Sequence, residues 1–414
     1  MKKRESATTA VSAGGGRAKV PATVWALGFV SMLMDISSEL VHSLLPVFMV
    51  TVLGTSAFTV GLIEGAAEAT ALIVKVFSGP LSDYFGRRKP LTVLGYGMAA
   101  LAKPLFALAT TAGVVLAARL FDRIGKGIRG APRDALIADI TPPEVRGAAF
   151  GLRQSLDTVG AFVGPLLAIG LMVLWANDFR AVFWVAVIPA VLSVALLLFG
   201  VQEPAVRARG RGLNPLTREN LRRLSRPYWW VVAIGAVFTL ARFSEAFLIL
   251  RAQQGGLPIA LAPLVLVVMN VVYALAAYPF GKLSDTTRHA PLLGAGLLVL
   301  LLADAALAHS NHWTWVGAGV ALWGLHMAMT QGLLAAMVAN TAPADLRGTA
   351  FGFFNLVSGV AMLVASALAG WLWDQFGASF TFLAGGAFCM LALLTIAVSP
   401  VGRVPVAERP SAKE

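Results

Sequence analysis

The sequence predicts an all-α membrane protein with twelve transmembrane helices, arranged as two six-helix bundles in parallel repeat. Three observations predict it. The 414-residue chain is 57% hydrophobic and only 13% charged, well below the roughly 25% charged residues of a soluble domain. Apolar runs long enough to cross a hydrocarbon core of about 30 Å recur from end to end. Two short motifs also return in the same order half a chain later.

The apolar runs cover 24–53, 57–82, 90–109, 113–130, 147–175, 180–200, 229–251, 257–281, 290–309, 314–337, 348–373 and 378–399. Backbone in lipid must satisfy its own hydrogen bonds, so each run is read as a helix. Residues 1–20 are too polar and glycine-rich for the apolar core of a signal peptide and are expected to form a disordered cytoplasmic tail. Residues 21–201 then form the first bundle, 202–228 a basic cytoplasmic linker, 229–400 the second bundle and 401–414 a second cytoplasmic tail. The only cysteine, Cys389, falls in the last run, so no intrachain disulfide can form.

The formal net charge of +12 invites a nucleic-acid reading, but the placement of the charge argues against it. In a twelve-span layout Arg87, Arg88, Lys89, Arg133, Arg146, Lys282, Arg288 and Arg347 share one side with the termini and the linker. Arg180 and Arg251 alone fall on the other. That bias puts both termini in the cytoplasm of a cell whose inner membrane holds the chain. No nucleic-acid partner is expected.

The repeat is specific. "GPLSD" at Gly79–Asp83 returns as "GKLSD" at Gly281–Asp285, and "RGAAFG" from Arg146 returns as "RGTAFG" from Arg347. Six runs per half give both halves the same orientation. Such repeats are one way in which secondary transporters are built, with the site near the midplane between halves.

At these residues the sequence resembles the major facilitator superfamily over essentially all of 20–400. Gly79, Leu81, Asp83, Gly86, Arg87 and Arg88 match that family's signature loop between its second and third helices. Arg119 with "RLFDRIG" resembles the fourth-helix signature, with Asp122 and Arg123 replacing an expected glutamine and glycine. "GAFVGP" at Gly160–Pro165 resembles part of the fifth-helix signature of proton-exchanging exporters. The resemblance implies alternating access of two bundles. It also implies a cytoplasmic gate latch at Asp83, Arg87 and Arg88, whose second-half counterpart by the repeat is Asp285.

Charges inside the runs point to the working site, because a charge at mid-membrane costs around 2.5–3.5 kcal/mol on insertion scales unless it is paired or wet. In the first run Asp35, Glu39 and His42 fall within about 60° of one another on a helix. Glu64, Glu68 and Lys75 share a face of the second run, where one of the two acids is expected to neutralise Lys75. Arg119, Arg123 and Lys126 form a basic stripe on the fourth, with Asp122 beside it. Asp157, four residues after Arg153, is read as a salt-bridge partner or a functional acid. Arg242, Glu245, Asn270 and Gln331 are the second-half candidates. Gly160 and Gly164, like Gly61 with Gly65, Gly147 with Gly151 and Gly348 with Gly352, are small-residue pairs that let helices approach closely. Pro165 removes a backbone donor and can kink its helix.

No nucleotide, metal or catalytic motif survives inspection. "GKGIRG" at Gly125–Gly130 has the spacing of a dinucleotide loop but follows a membrane helix rather than a strand. The chain is therefore not expected to be an enzyme, and no cofactor is expected beyond a proton gradient as energy source. The expectation is a monomeric, proton-coupled exporter of a small solute: a metal ion, a drug-like compound or an organic ion. Uptake of an organic acid or siderophore-like solute by proton symport is the second reading. A membrane sensor that keeps the fold without transporting is the third.

Overall fold

The structure, a computed structural model, describes residues 20–85, 87–203, 217–343 and 346–400. Residues 1–19 and 401–414 of the expected tails, 204–216 of the linker and Gly86 lie outside the described residues, as do the side chains of Asp83 and Asp285.

The first apolar run is α1 (Ala22–His42) continued by α2 (Leu45–Thr51), and the second is α3 (Ala57–Phe85). The third is α4 (Lys89–Ala107), the fourth α5 (Ala112–Ile140) and the fifth α6 (Arg146–Leu174). The sixth is α7 (Phe179–Val185) with α8 (Val187–Gly200). A short helix of the linker, α9 (Arg218–Arg222), precedes the second half. There the runs become α10 (Arg226–Leu240) with α11 (Ala246–Gln254), then α12 (Leu264–Thr286) and α13 (His289–His309). The chain continues as α14 (Trp313–Thr330) with α15 (Leu333–Thr341), α16 (Arg347–Phe376) and α17 (Ala378–Val398). Among the described residues there is no strand.

Among the described residues, nine of the twelve segments are long and apolar enough to cross a membrane. The other three are helical but fall short for visible reasons. The third holds Lys103, the fourth carries Arg119, Asp122, Arg123 and Lys126, and the seventh is interrupted at 241–245. Helix breaks also appear where the apolar pattern runs on without a signal. Pro46 opens α2, where its missing N–H costs nothing. Gly332, at φ +76°, opens α15 in a conformation that a residue with a Cβ rarely adopts.

In the first half α1 lies along α6 and α8, and α5 packs on α3 and α4. In the second, α13 lies between α14 and α17, and α12 crosses α14. The halves meet along α3 with α16, α6 with α12 and α2 with α11. Glycine permits the first contact: a Cβ on Gly61 would sit 2.1 Å from the Ser366 carbonyl oxygen, and one on Gly370 2.4 Å from that of Ala57. Close approach does not occur at Gly147, Gly151 and Gly348, where a Cβ would meet nothing within 4 Å. These three sit near the end of the molecule that bears the linker.

The opposite end is tied shut by a contact between halves. Asp374, at the end of α16, accepts hydrogen bonds from the backbone N–H groups of Ala57 (3.0 Å) and Phe58 (2.9 Å) at the start of α3. Those N–H groups have no partner within their own helix, and a carboxylate there also offsets the positive helix end. Beside this cap Phe247 of α11 stacks on Trp373 with ring centroids 5.7 Å apart.

Gly160 and Gly164 bring α6 against the acidic face of α1. A Cβ at Gly160 would lie 2.9 Å from the Asp35 Cβ, and one at Gly164 2.6 Å from the Glu39 Cβ. The helix runs through Pro165 without a break. Gly164→Ala therefore overfills this contact, a change that typically costs 1–3 kcal/mol. We expect a lowered thermal midpoint in detergent, with Gly170→Ala, which faces open space, leaving the midpoint close to wild type.

Candidate substrate and proton site

Between the halves lies a cavity of about 280 Å³. Its wall takes Glu39 and His42 from α1, Glu64 and Glu68 from α3, and Arg119, Arg123 and Lys126 from α5. The second half contributes Arg242 to Glu245 from the interruption between α10 and α11, with Ala246, Ile249, Leu266 and Met362. Four acids (Glu39, Glu64, Glu68, Glu245) thus face four bases (Arg119, Arg123, Lys126, Arg242), so the wall is formally neutral.

Half of these charges are locked in pairs. Arg119 Nε donates to Glu64 Oε1 at 3.0 Å, and a second contact joins its Nη2 to Oε2, the two-pronged match that a guanidinium makes with a carboxylate. Arg123 Nη2 pairs with Glu68 at 3.1 Å. Behind them Lys103 of α4 pairs with Asp122 at 3.0 Å, with both residues almost fully buried. The structure thus assigns Glu64 and Glu68 to Arg119 and Arg123. Lys75, expected to be neutralised by one of those acids, is instead exposed on α3 and outside the cavity wall.

His42 packs against Arg119 through Nε2 and lies 3.1 Å from Arg123 Nη2. A guanidinium can only donate, so toward Arg119 the imidazole acts as an acceptor. The remaining wall charges are unpaired: among the described residues Lys126, Arg242 and Glu245 have no ion-pair partner within 4.0 Å, and Glu39 has only His42 at 4.0 Å.

The other expected site residues fall elsewhere. Asp35 shares the face of α1 with Glu39 but stands outside the cavity wall, beneath Gly160. Asp157 pairs with Arg153 at 3.1 Å, and Arg153 also reaches Asp134 at 3.4 Å, a network within the first half. Asn270 Nδ2 donates to the Ala161 carbonyl oxygen at 3.3 Å, so it joins the halves rather than facing the cavity. Gln331 is exposed at the break before α15. At the expected gate, a Cβ on Gly79 would contact Ala131 of α5 at 3.7 Å. Arg87 is exposed there, and Arg88 Nε pairs with Asp139 at 2.7 Å. The backbone N–H groups of Arg88 and Lys89 both reach Glu203. These described gate contacts reach α5 and the start of the linker.

Seven wall residues were not singled out in the sequence: Pro46, Phe243, Ser244, Ala246, Ile249, Leu266 and Met362. Lys126 was legible on the basic stripe but had no evident partner. Phe243 looks like one more apolar residue of a spanning run, and only the helix interruption turns it to the cavity.

Comparison with known proteins agrees with this architecture. The family model described as Major Facilitator Superfamily matches residues 27–269 and 246–414. An uncharacterized MFS-type transporter of Methanocaldococcus jannaschii is 32% identical over 381 residues, covering 90% of this chain and 94% of that protein. A multidrug resistance protein of Photorhabdus laumondii is 25% identical over 350 residues, covering 84% of this chain and 85% of that protein. Among solved structures, a POT family transporter in complex with 5-aminolevulinic acid superposes with TM-score 0.77 at 14% identity, over 91% of this chain and 96% of that one. A bacterial homolog of the human lysosomal transporter Spinster, inward-facing and unoccupied, gives 0.72 at 16% identity, over 92% and 96%. A family match along almost the whole chain, a relative above 30% identity and the same helical architecture converge: the chain belongs to the Major Facilitator Superfamily and is a multi-pass membrane transporter rather than an enzyme.

Proposed function

We propose that the protein is a proton-coupled exporter of small amphiphilic organic ions in a bacterial cytoplasmic membrane, working as a monomer by alternating access and drawing on the proton gradient. The observation that carries the reading is the pair Glu39 and Glu245. They stand on opposite halves of one cavity, without a bridging cation, in a wall where the neighbouring acids are already committed to arginines. An unpaired carboxyl in a partly dry cavity is the group whose proton can be exchanged for a substrate.

The positive-inside bias places the linker end in the cytoplasm. The end held by Asp374 is then external, and the arrangement is inward-facing. In the cycle, a substrate from the cytoplasm displaces the proton on Glu39 or Glu245, the halves rock, and the external end opens by releasing Asp374 from α3. Reprotonation from outside expels the substrate and resets the cavity. Phe243, Ile249, Leu266 and Met362 supply an apolar flank that suits an organic ion. Export is further supported by relatives named multidrug resistance proteins, one of them at 25% identity. Lys126 and Arg242, also without bridging partners, favour a second reading in which an organic anion binds them and enters with a proton.

Purified protein in liposomes loaded with a pH-reporting dye tests the coupling. Against a panel of organic cations and organic anions, the wild type should move protons with at least one class, and Glu39→Gln should abolish that flux while substrate binding persists. Substrate movement without proton movement in the wild type would overturn coupling. Cation-only responses support export as framed, and anion-only responses favour the second reading.

The external cap gives a separate prediction. Asp374→Ala removes a helix cap of about 1 kcal/mol, which shifts the balance of states roughly fivefold toward the externally open one. Spin labels on the external ends of α3 and α16 should report a larger open population. An unchanged distance distribution would show that the cap does not hold the gate.

A further inference from the structure

The mechanism above leaves one buried acid unused. Asp304 on α13 is 1% exposed, its Oδ1 has no hydrogen-bond partner, and its Oδ2 meets only the Cys389 thiol, at 4.0 Å. A methyl group built on Gly385 of α17 would lie 2.7 Å from Asp304 Oδ2 and 3.0 Å from the Phe243 ring. Asp304, Gly385 and Phe243 therefore meet at one point. Phe243 also lines the cavity, so the same aromatic residue borders the cavity and the surroundings of this carboxyl. The ring is held by Phe247, Trp323 and Phe382, with centroids 5.6, 5.4 and 5.6 Å away.

The charged and titratable groups around Asp304 are few. From α17 there is Cys389. From α14 there is His326, whose Nδ1 is engaged with the Gly296 carbonyl oxygen, two turns back toward the start of α13. Arg242 and Glu245 flank Phe243 in the interruption and face the cavity. Among the described residues no cation lies within ion-pairing distance of Asp304. A buried carboxylate without a partner is costly, so this surrounding accommodates the neutral acid.

We propose that Asp304 is a second proton-binding carboxyl, covered by Phe243 in the present state and wetted when the α10–α11 interruption rearranges. It stands five residues from the external end of α13, about 8 Å along the helix. Opening of the external end brings water to it from the side where protons are abundant. The exchange is a simple one: the carboxylic acid gives its proton to water admitted past Phe243, and the carboxylate takes one back before the ring closes. The role in transport rests on the coupled reading of the cavity, whereas the proton site itself stands on the geometry of the second half.

Infrared difference spectroscopy on the full chain in lipid vesicles tests the site without a substrate. Stepping the buffer from mildly acidic to strongly alkaline should remove a carboxylic-acid carbonyl band from the wild type. That band should be missing in Asp304→Asn, shifted in Asp304→Glu and retained in Glu39→Gln. The glutamate variant secures the assignment if the asparagine variant folds poorly. In heavy water, Phe243→Ala should speed deuterium exchange of the same band. Absence of an acid band assignable to position 304, or a band that never titrates, overturns the proposal. Unchanged exchange in Phe243→Ala overturns the covering role of the ring. A titrating band in a protein that shows no substrate-driven proton flux would sink the coupled reading of the cavity and leave the Asp304 site in place.

Discussion

The cost of a charge without water or a partner governs how this molecule is built. A soluble protein can leave a stray carboxylate at its surface, but a helix crossing lipid has no such outlet. The first half meets the constraint by pairing: Glu64 with Arg119, Glu68 with Arg123 and Asp122 with Lys103 across helices, and Asp157 with Arg153 along α6. Truncating one partner of a buried pair strands the other, typically at 3–5 kcal/mol. The network therefore ties α3, α4 and α5 into one rigid wall. Against that fixed background the unpaired charges stand out as those free to take a proton or a substrate.

The two halves solve the same problem differently. The first is charged and cross-linked by ion pairs, whereas the second is apolar, with Asp304 and His326 each isolated among aromatic and aliphatic side chains. What the second half brings to the cavity comes chiefly from one place, the interruption at 241–245. A continuous helix would keep its backbone polar groups to itself and aim fewer side chains at one point. Breaking it turns Arg242, Phe243, Ser244 and Glu245 together toward the first half, and Ser366 Oγ accepts the freed N–H of Ser244 at 3.2 Å. Irregular backbone at membrane depth is tolerable where it lines a cavity and finds such a partner.

Small residues set where the halves touch and where they part. Gly61, Gly65 and Gly370 hold α3 and α16 at backbone contact, and Asp374 caps the same junction. At the linker end Gly147, Gly151 and Gly348 face open space. The same residue type thus serves two ends of the structure in different ways, and its sequence spacing alone does not say which. The motif around Arg88 reaches Asp139 of α5 and Glu203 at the start of the linker.

By itself the sequence determined the class of protein, the helix periods, the repeat and the faces that carry charge. These follow from local rules: an apolar run must be helical in lipid, and residues three or four apart share a face. Thus Glu39, His42, Glu64, Glu68, Arg119, Arg123, Arg242 and Glu245 were legible as candidates before any contact was known. Tertiary structure decided which of them meet. Lys75 sits only seven residues beyond Glu68 and shares its predicted face, yet it stays outside the cavity. Asp35 shares a stripe with Glu39 yet is turned under Gly160. The break at 241–245 and the isolation of Asp304 behind Phe243 were also invisible, because a charge in an apolar run says neither that its helix breaks nor what packs against it. Pairing and isolation are distances between helices, and one-dimensional spacing contains no such distance.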